Sequence, residues 1–143
     1  PKIITDLING GCEVRGDNEV ALLSKKIKKA SEQDWKKEYL DSIVSIKVVN
    51  SLNEAIKHIN DYSSKHTDAI ITNSTKNAKL FLTEIESAIV MHNTSTQFSD
   101  GAEFGLGAEI GISTGKLHAR GPVSTQELTT YKYIVKGNGQ LRQ

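Results

Sequence analysis

Between Ser42 and Asn93, three runs rich in β-branched residues alternate with two stretches of helical periodicity, and few folds satisfy that order. "SIVSIKVVN" (Ser42 to Asn50) reads as a buried strand. Ser51-Leu52-Asn53-Glu54 then fits a capping box, in which the serine hydroxyl accepts an orphan N–H and the glutamate reaches back. Leu52, Ala55, Ile56, Ile59 and Tyr62 line one face of the helix that follows, which is expected to end near Ser63. "DAIITN" (Asp68 to Asn73) is a second strand. Ser74 or Thr75 caps a second helix with Ala78, Phe81, Leu82 and Ile85 inward, and "SAIVMHN" (Ser87 to Asn93) is a third strand. Strand, helix, strand, helix, strand predicts an α/β fold with a mostly parallel sheet flanked by helices.

The flanks are less regular. "PKIITDLINGG" reads as a helix that opens on Pro1 and stops at Gly10. So abrupt an opening suggests further sequence upstream. Cys12 to Arg15 is a short strand candidate. In "EVALLSKKIKKAS" (Glu19 to Ser31), Val20, Leu23 and Ile27 fall at helical spacing, and the lysines from Lys25 to Lys29 read as a solvated helix face. The region from Trp35 to Asp41 fits no single element. Near the end, Thr129 to Val135 is β-branched and aromatic. It reads as a strand outside the central sheet, and such a strand can pair elsewhere.

Composition excludes several classes. With 143 residues, 37% of them apolar and 24% charged, the chain is an ordinary globular length and can bury a core. A net charge of +1 gives no field for nucleic acid or an anionic membrane. No apolar run approaches the roughly 18 residues of a membrane span, and no targeting segment is visible. The single cysteine, Cys12, permits no internal disulfide and fits a reducing, cytoplasmic setting.

The third strand runs directly into a polar loop and then "FSDGAEFGLGAEIGISTGKLHARGP" (Phe98 to Pro122), with six glycines in 25 residues. Loops leaving the carboxyl ends of parallel strands are where open α/β sheets bind ligands. The run from Gly105 to Ile110 fails as a dinucleotide fingerprint, because the third glycine position is Ile110 and no strand-to-helix turn surrounds it. Cys12 lies beside Glu13, which disfavours a thiolate, and reads as structural. His58, His66, His92 and His118 have no metal-ligand spacing. His58 falls on the polar, solvated side of its helix, and His92 ends a strand beside the loop. His118-Ala119-Arg120 suits either an anion grip or a turn that holds its own backbone. The residues alone offer a polar ligand loop and no complete catalytic set.

"TSTQFSDGAEFGLGAEIGISTGKLHARGP" and "QELTTYKYIVKGNGQLR", with "YLDSIVSIKVVNSLNEAIKHINDYSSKHTDAIIT" upstream, resemble the C-terminal part of the gamma-glutamyl phosphate reductases of the aldehyde dehydrogenase superfamily. The resemblance covers essentially the whole chain. It implies NADPH-dependent reduction of gamma-glutamyl phosphate to glutamate-5-semialdehyde in proline biosynthesis, through a cysteine thiolate. It also implies that the catalytic cysteine and most of the NADP-binding domain lie upstream of Pro1, so that this chain alone is inactive and has no catalytic residue of its own. By position, the substrate contacts are Asn93, Ser95, Thr96, Gln97 and Phe98, with Asp100 and Gly101 shaping the turn. Glu38 falls near the family's glutamate for the nicotinamide ribose. The tail matches the oligomerisation arm, which implies self-association, and a separate N-terminal chain is a possible complement.

The sequence departs from the family pattern at His92 for Asn, Thr94 for Ala, Gln97 for Arg, and at Val123-Ser124-Thr125. Glutamine cannot supply the fixed charge and bidentate fork of arginine. The alternative to an enzyme piece is a non-catalytic remnant or interaction module of a split or decayed gene.

Overall fold

The computed structural model describes residues 1–142. Helix α1 (Lys2–Asn9) leads into β1 (Glu13–Gly16), a short helix α2 (Asn18–Ala21) and an edge strand β2 (Lys28–Lys29). A 3-10 turn (Asp34–Lys36) precedes β3 (Ile43–Ile46). Then come α3 (Leu52–Tyr62), β4 (Thr67–Ile70), α4 (Thr75–Glu84) and β5 (Ile89–His92). A second 3-10 turn (Thr96–Phe98) and a hairpin of β6 (Gly111–Ser113) and β7 (Gly121–Val123) complete the order.

The α/β expectation holds, and the pairing is more particular than alternation implied. β1 lies between β2 and β3, parallel to both, with Val14 opposite Val44. β4 and β5 form a separate parallel pair, with Thr67 opposite Ile89 and Ile70 opposite His92. Among the described residues, only the β6–β7 hairpin is antiparallel. Two apolar clusters lie under these strands. Ile4, Val14, Val20 and Ile27 form one, with Val44 and Ile46 against it. Ile56, Phe81 and Ile85 form the other, with Leu52, Ile59, Ile70 and Val90.

Local chemistry set the two long helices. Ser51 Oγ accepts the Glu54 N–H at 3.2 Å, and the Glu54 carboxylate reaches back to the N–H of Asn50 at 2.9 Å. The box therefore closes one residue earlier than its usual form. Ser74 Oγ likewise accepts the Asn77 N–H at 3.3 Å.

The helix expected over Glu19 to Ser31 does not form. Asp17 caps only the four residues of α2, accepting the Val20 N–H at 2.9 Å. The lysine run, read as a helix face, instead turns at Ser24 and becomes edge strand β2. There Arg15 pairs with Lys28, and the Ala30 N–H donates to Gly16 O at 2.7 Å. Pairing along β1 outweighs helical periodicity. Val20 and Ile27 are buried as the pattern predicted, while Leu23 is exposed.

β1 keeps a strict period of two. Val14 and Gly16 face the apolar cluster, and a side chain at Gly16 would have its Cβ 2.6 Å from Val20 Cβ. Glu13 and Arg15 point the other way, into a charged network. Arg15 Nη1 donates to Asp34 Oδ1 at 2.7 Å and Arg15 Nε to Glu13 Oε1 at 2.8 Å, while Lys28 Nζ meets Glu13 Oε2 at 2.5 Å. Asp34 is 7% exposed and collects further donors: the Ser31 N–H and Oγ at 2.7 Å each, and Tyr39 Oη at 2.6 Å. Tyr39 Oη also lies 2.6 Å from Ser45 Oγ on β3.

The Tyr39 hydroxyl, with Ser31 and Arg15 behind it, holds the Asp34 carboxyl well below the usual carboxylate range. A folded-state value below the unfolded one makes ionised Asp34 stabilising. That contribution is complete above about pH 5 and disappears as pH falls through the unfolded value near 4 towards the lower folded one. Asp34→Asn is therefore expected to lower the thermal midpoint at neutral pH and to flatten its decline in acid. Thermal unfolding followed by circular dichroism from pH 2 to 7 measures both, and an unchanged acid limb would show that other carboxyls control it.

Candidate functional site

A cleft of about 650 Å³ opens between the two halves of the fold. One wall is the segment Trp35–Glu38. The other comes from the end of α3 (Tyr62, Ser63, Ser64) and the start of β4 (His66, Thr67), closed by Thr96, Ser99 and Thr114. The Asp34 network fixes the first wall, because Tyr39 is anchored at both Asp34 and Ser45 immediately after Glu38.

An aromatic seam joins the walls. The His58 ring lies 5.5 Å from Trp35, edge to face, and 4.7 Å from Tyr62. The expectation of a solvated His58 is thus corrected: the helix face that sequence alone left polar packs against Trp35. His58 Nδ1 is buried without a partner, and burial, aided by Lys47, lowers the imidazole pKa. Lys47 sits 5.7 Å from the Trp35 ring centre and Lys36 lies 5.6 Å from that of Tyr62. Tyr62 Oη donates to Glu32 at 3.0 Å, which raises its pKa.

The polar loop leaves the carboxyl end of β5, as expected, but does not stay there. The Asn93 N–H donates to Ile70 O at 2.8 Å, and Asn93 takes a left-handed φ of 54° that turns the chain back. The side-chain amide of Asn93 then brackets Thr72, accepting its N–H at 2.8 Å and donating to its carbonyl at 2.9 Å. His92 Nε2 reaches the same carbonyl at 2.9 Å. Ser95 Oγ accepts the Gln97 N–H at 3.2 Å and starts the 3-10 turn. The loop finally reaches the amino end of β4, where Ser99 Oγ lies 2.8 Å from Thr67 Oγ1, and Thr67 Oγ1 lies 2.7 Å from His66 Nδ1.

The structure therefore brings Glu38 and Thr96 onto one cleft and leaves the other sequence candidates off its lining. Asn93 and Ser95 build the loop. Gln97 and Phe98 are exposed. Asp100 Oδ1 accepts the Ala102 N–H at 2.7 Å, so Asp100 shapes the turn. Gly101 is buried, its N–H donates to Glu109 Oε2 at 2.8 Å, and a Cβ there would lie 2.9 Å from Glu109 Cβ. Arg120 does not hold its own turn but a distant one, donating to Glu86 O at 2.7 Å, while Lys116 pairs with the Glu86 carboxylate. Cys12 is half-buried, with Sγ 3.7 Å from Glu13 O. Trp35, Lys36, Lys37, Tyr62, His66 and Thr67 lie on the cleft without having been singled out as ligands. Their only signal is position: beside Glu38, at the end of α3, or at a strand start.

Glu38 presents an exposed carboxylate to the cleft, which suits the hydroxyls of a ribose. A dinucleotide also needs a cradle for its phosphates. Gly105 and Gly107, with φ of 73° and 77°, turn the chain towards β6 and open no helix, and no metal-ligand cluster occurs among the described residues. The lining thus offers one acceptor suited to the hydroxyls of a ribose.

Known proteins sharpen this picture. The model of the aldehyde dehydrogenase family matches residues 23–133. A gamma-glutamyl phosphate reductase of Sphingopyxis alaskensis is 61% identical over 140 residues, 98% of this chain and 33% of that protein. One from Clostridium botulinum (strain Alaska E43 / Type E3) is 57% identical over 99% of this chain and 34% of that protein. The crystal structure of gamma-glutamyl phosphate reductase from Thermotoga maritima superposes with a TM-score of 0.94 at 49% identity, covering 100% of this chain and 34% of that one. The chain spans about a third of the length of the relatives it matches.

Asn93→Ala is expected to destabilise the fold by about 1–2 kcal/mol, from left-handed strain and two lost bonds to Thr72. Asn93→Gly should recover only the backbone share. Urea unfolding of the three proteins separates the contributions, and equal stability of the alanine variant would show that the bracket on Thr72 carries no weight.

Proposed function

The chain belongs to the aldehyde dehydrogenase family, and we propose that within it the chain forms the C-terminal part of a gamma-glutamyl phosphate reductase. Such an enzyme is cytoplasmic and makes glutamate-5-semialdehyde for proline biosynthesis. The observation that carries this reading is the shared cleft: Glu38 on one wall and Thr96 on the other are the positions that resemblance assigns to cofactor and substrate.

When bound, the cofactor, NADP(H), supplies hydride transfer. Glu38 would hold its ribose hydroxyls. The hydroxyl and amide groups of Ser95, Thr96 and Gln97, with Asn93 fixing the loop and Asp100 and Gly101 its turn, would orient the substrate, and Phe98 would cover it. The nucleophilic thiolate and the phosphate cradle would come from polypeptide outside these residues. Residues 128–143 would serve as the arm of an oligomer. The strand expected over Thr129 to Val135 does not form within this chain; Tyr131, Tyr133, Ile134 and Val135 are exposed and join no sheet, which leaves them open to that role.

The test is an NADP-linked assay with glutamate-5-semialdehyde and phosphate, on the chain alone and joined to the complementary two-thirds of the Thermotoga maritima relative. Activity is expected only in the joined protein. Activity of the chain alone that disappears in Cys12→Ser would overturn the assignment of the nucleophile. No activity in the folded joined protein would favour the interaction-module reading.

Gln97→Arg in the joined protein is expected to lower the KM for the anionic substrate about tenfold, the equivalent of roughly 1.4 kcal/mol of charged hydrogen bonding. An unchanged KM would show that position 97 does not reach the substrate.

A further inference from the structure

We infer that Asn138 is a self-modification site: the Gly139 nitrogen attacks the Asn138 side-chain amide, with Gln140 assisting, and the residue becomes an acid. The sequence holds two Asn-Gly pairs, Asn9-Gly10 and Asn138-Gly139. Both asparagines are exposed, so access to water does not distinguish them. Their backbones do. Asn9 closes α1, and the Gly10 N–H donates to Asp6 O at 2.9 Å. The nitrogen that would attack is held along the helix, and its proton is committed. Asn138 lies outside every helix and strand, and among the described residues the Gly139 N–H has no acceptor. Gly139 takes a φ of 96° with open space where a Cβ would stand, so nothing obstructs its nitrogen.

Gln140 adds an activating contact. Its Nε2 donates to Asn138 Oδ1, and its Oε1 accepts the Asn138 N–H at 3.0 Å. The first bond withdraws electron density from the Asn138 carbonyl and opposes the charge that grows on Oδ1 as nitrogen adds to Cγ. The second holds the Gln140 amide so that Nε2 faces that oxygen. Gly137 leaves room for this arrangement, because a Cβ there would lie 3.0 Å from Gln140 Oε1.

The chemistry needs only water and base. Base takes the Gly139 amide proton, the N–Cγ bond forms, and the Cγ–Nδ2 bond breaks. Nδ2 takes up a proton and leaves as ammonia. Water then opens the five-membered imide at either carbonyl, giving aspartate or isoaspartate, and no atom is oxidised or reduced. From Leu128 onward the chain carries Lys132, Lys136 and Arg142 and no acidic side chain, so the product is the first negative side chain of the tail. Isoaspartate also adds a methylene to the main chain and shifts the register of the residues after it. The site rests on the geometry of the tail and is independent of the enzyme reading.

The test is incubation of the full chain between pH 7 and 9, followed by peptide mass mapping and isoaspartate quantification. Asn138 is expected to convert to a mixture of aspartate and isoaspartate, faster as pH rises and more of the Gly139 amide loses its proton. Asn9 should convert about tenfold more slowly, because a backbone hydrogen bond must first open. Gln140→Met should slow Asn138 about fivefold, the share of one hydrogen bond made in the transition state. In concentrated urea the two pairs should converge, and the effect of Gln140→Met should vanish. No conversion at Asn138, equal rates at Asn9 and Asn138 in the folded chain, or an unchanged rate in Gln140→Met would overturn the assignment.

Discussion

The buried carboxylate of Asp34 is the contact on which the rest of the arrangement depends. A charge taken out of water is costly unless it is fully paired. Here the pairing is complete: the Arg15 guanidinium, the Ser31 N–H and hydroxyl, and the Tyr39 hydroxyl all converge on it. These donors come from β1 and from both sides of the 3-10 turn, and Ser45 on β3 extends the set through Tyr39. The network therefore pins a segment that has little secondary structure of its own. That segment is the Trp35–Glu38 wall of the cleft. Arg15 also lies 5.0 Å from the centre of the Tyr39 ring, so its guanidinium braces the same tyrosine from its face. One wall of the candidate site is set by an ion pair outside the cleft.

How much of this was legible in sequence follows from the range of each interaction. The caps at Ser51 and Ser74 are local, and the helices they start were readable. So were β3, β4 and β5, whose β-branched runs need no partner to be recognised. The lysine run was misread as a helix face because its state is decided by β1, fifteen residues away at the Glu13–Lys28 pair. Asp34 gave no signal at all, since a carboxylate with four donors looks like any other acid until the donors converge. His58 gave the opposite signal, because a polar residue on an amphipathic helix reads as solvated unless Trp35 is known to cover it.

The candidate site divides in the same way. Composition marked the loop after β5 as a ligand loop, and resemblance marked Glu38 and Thr96, which share the cleft. The path of the loop was not readable. Its reversal depends on the left-handed Asn93 and on one side-chain contact between residues 32 apart, Thr67 and Ser99. Sheet topology favours sites at carboxyl ends of strands, yet this loop carries its hydroxyls back to an amino end. Only coordinates distinguish those outcomes, since the same serines and threonines would serve either.

The apolar surface completes the physical picture. More large hydrophobic side chains are exposed than buried, and several cluster in the tail from Leu128 to Leu141. A tail rich in aromatic and β-branched residues that makes no ladder leaves its backbone groups and side chains to water, a state that association relieves. Tyr131 and Tyr133 pack on each other at 5.5 Å, which shields little of either ring. The two apolar clusters beneath the parallel strands are satisfied by this chain alone, whereas the tail is not. That contrast is the physical ground for proposing an arm: the strands that position the cleft are held from within, and the segment proposed to join partners has no such internal support.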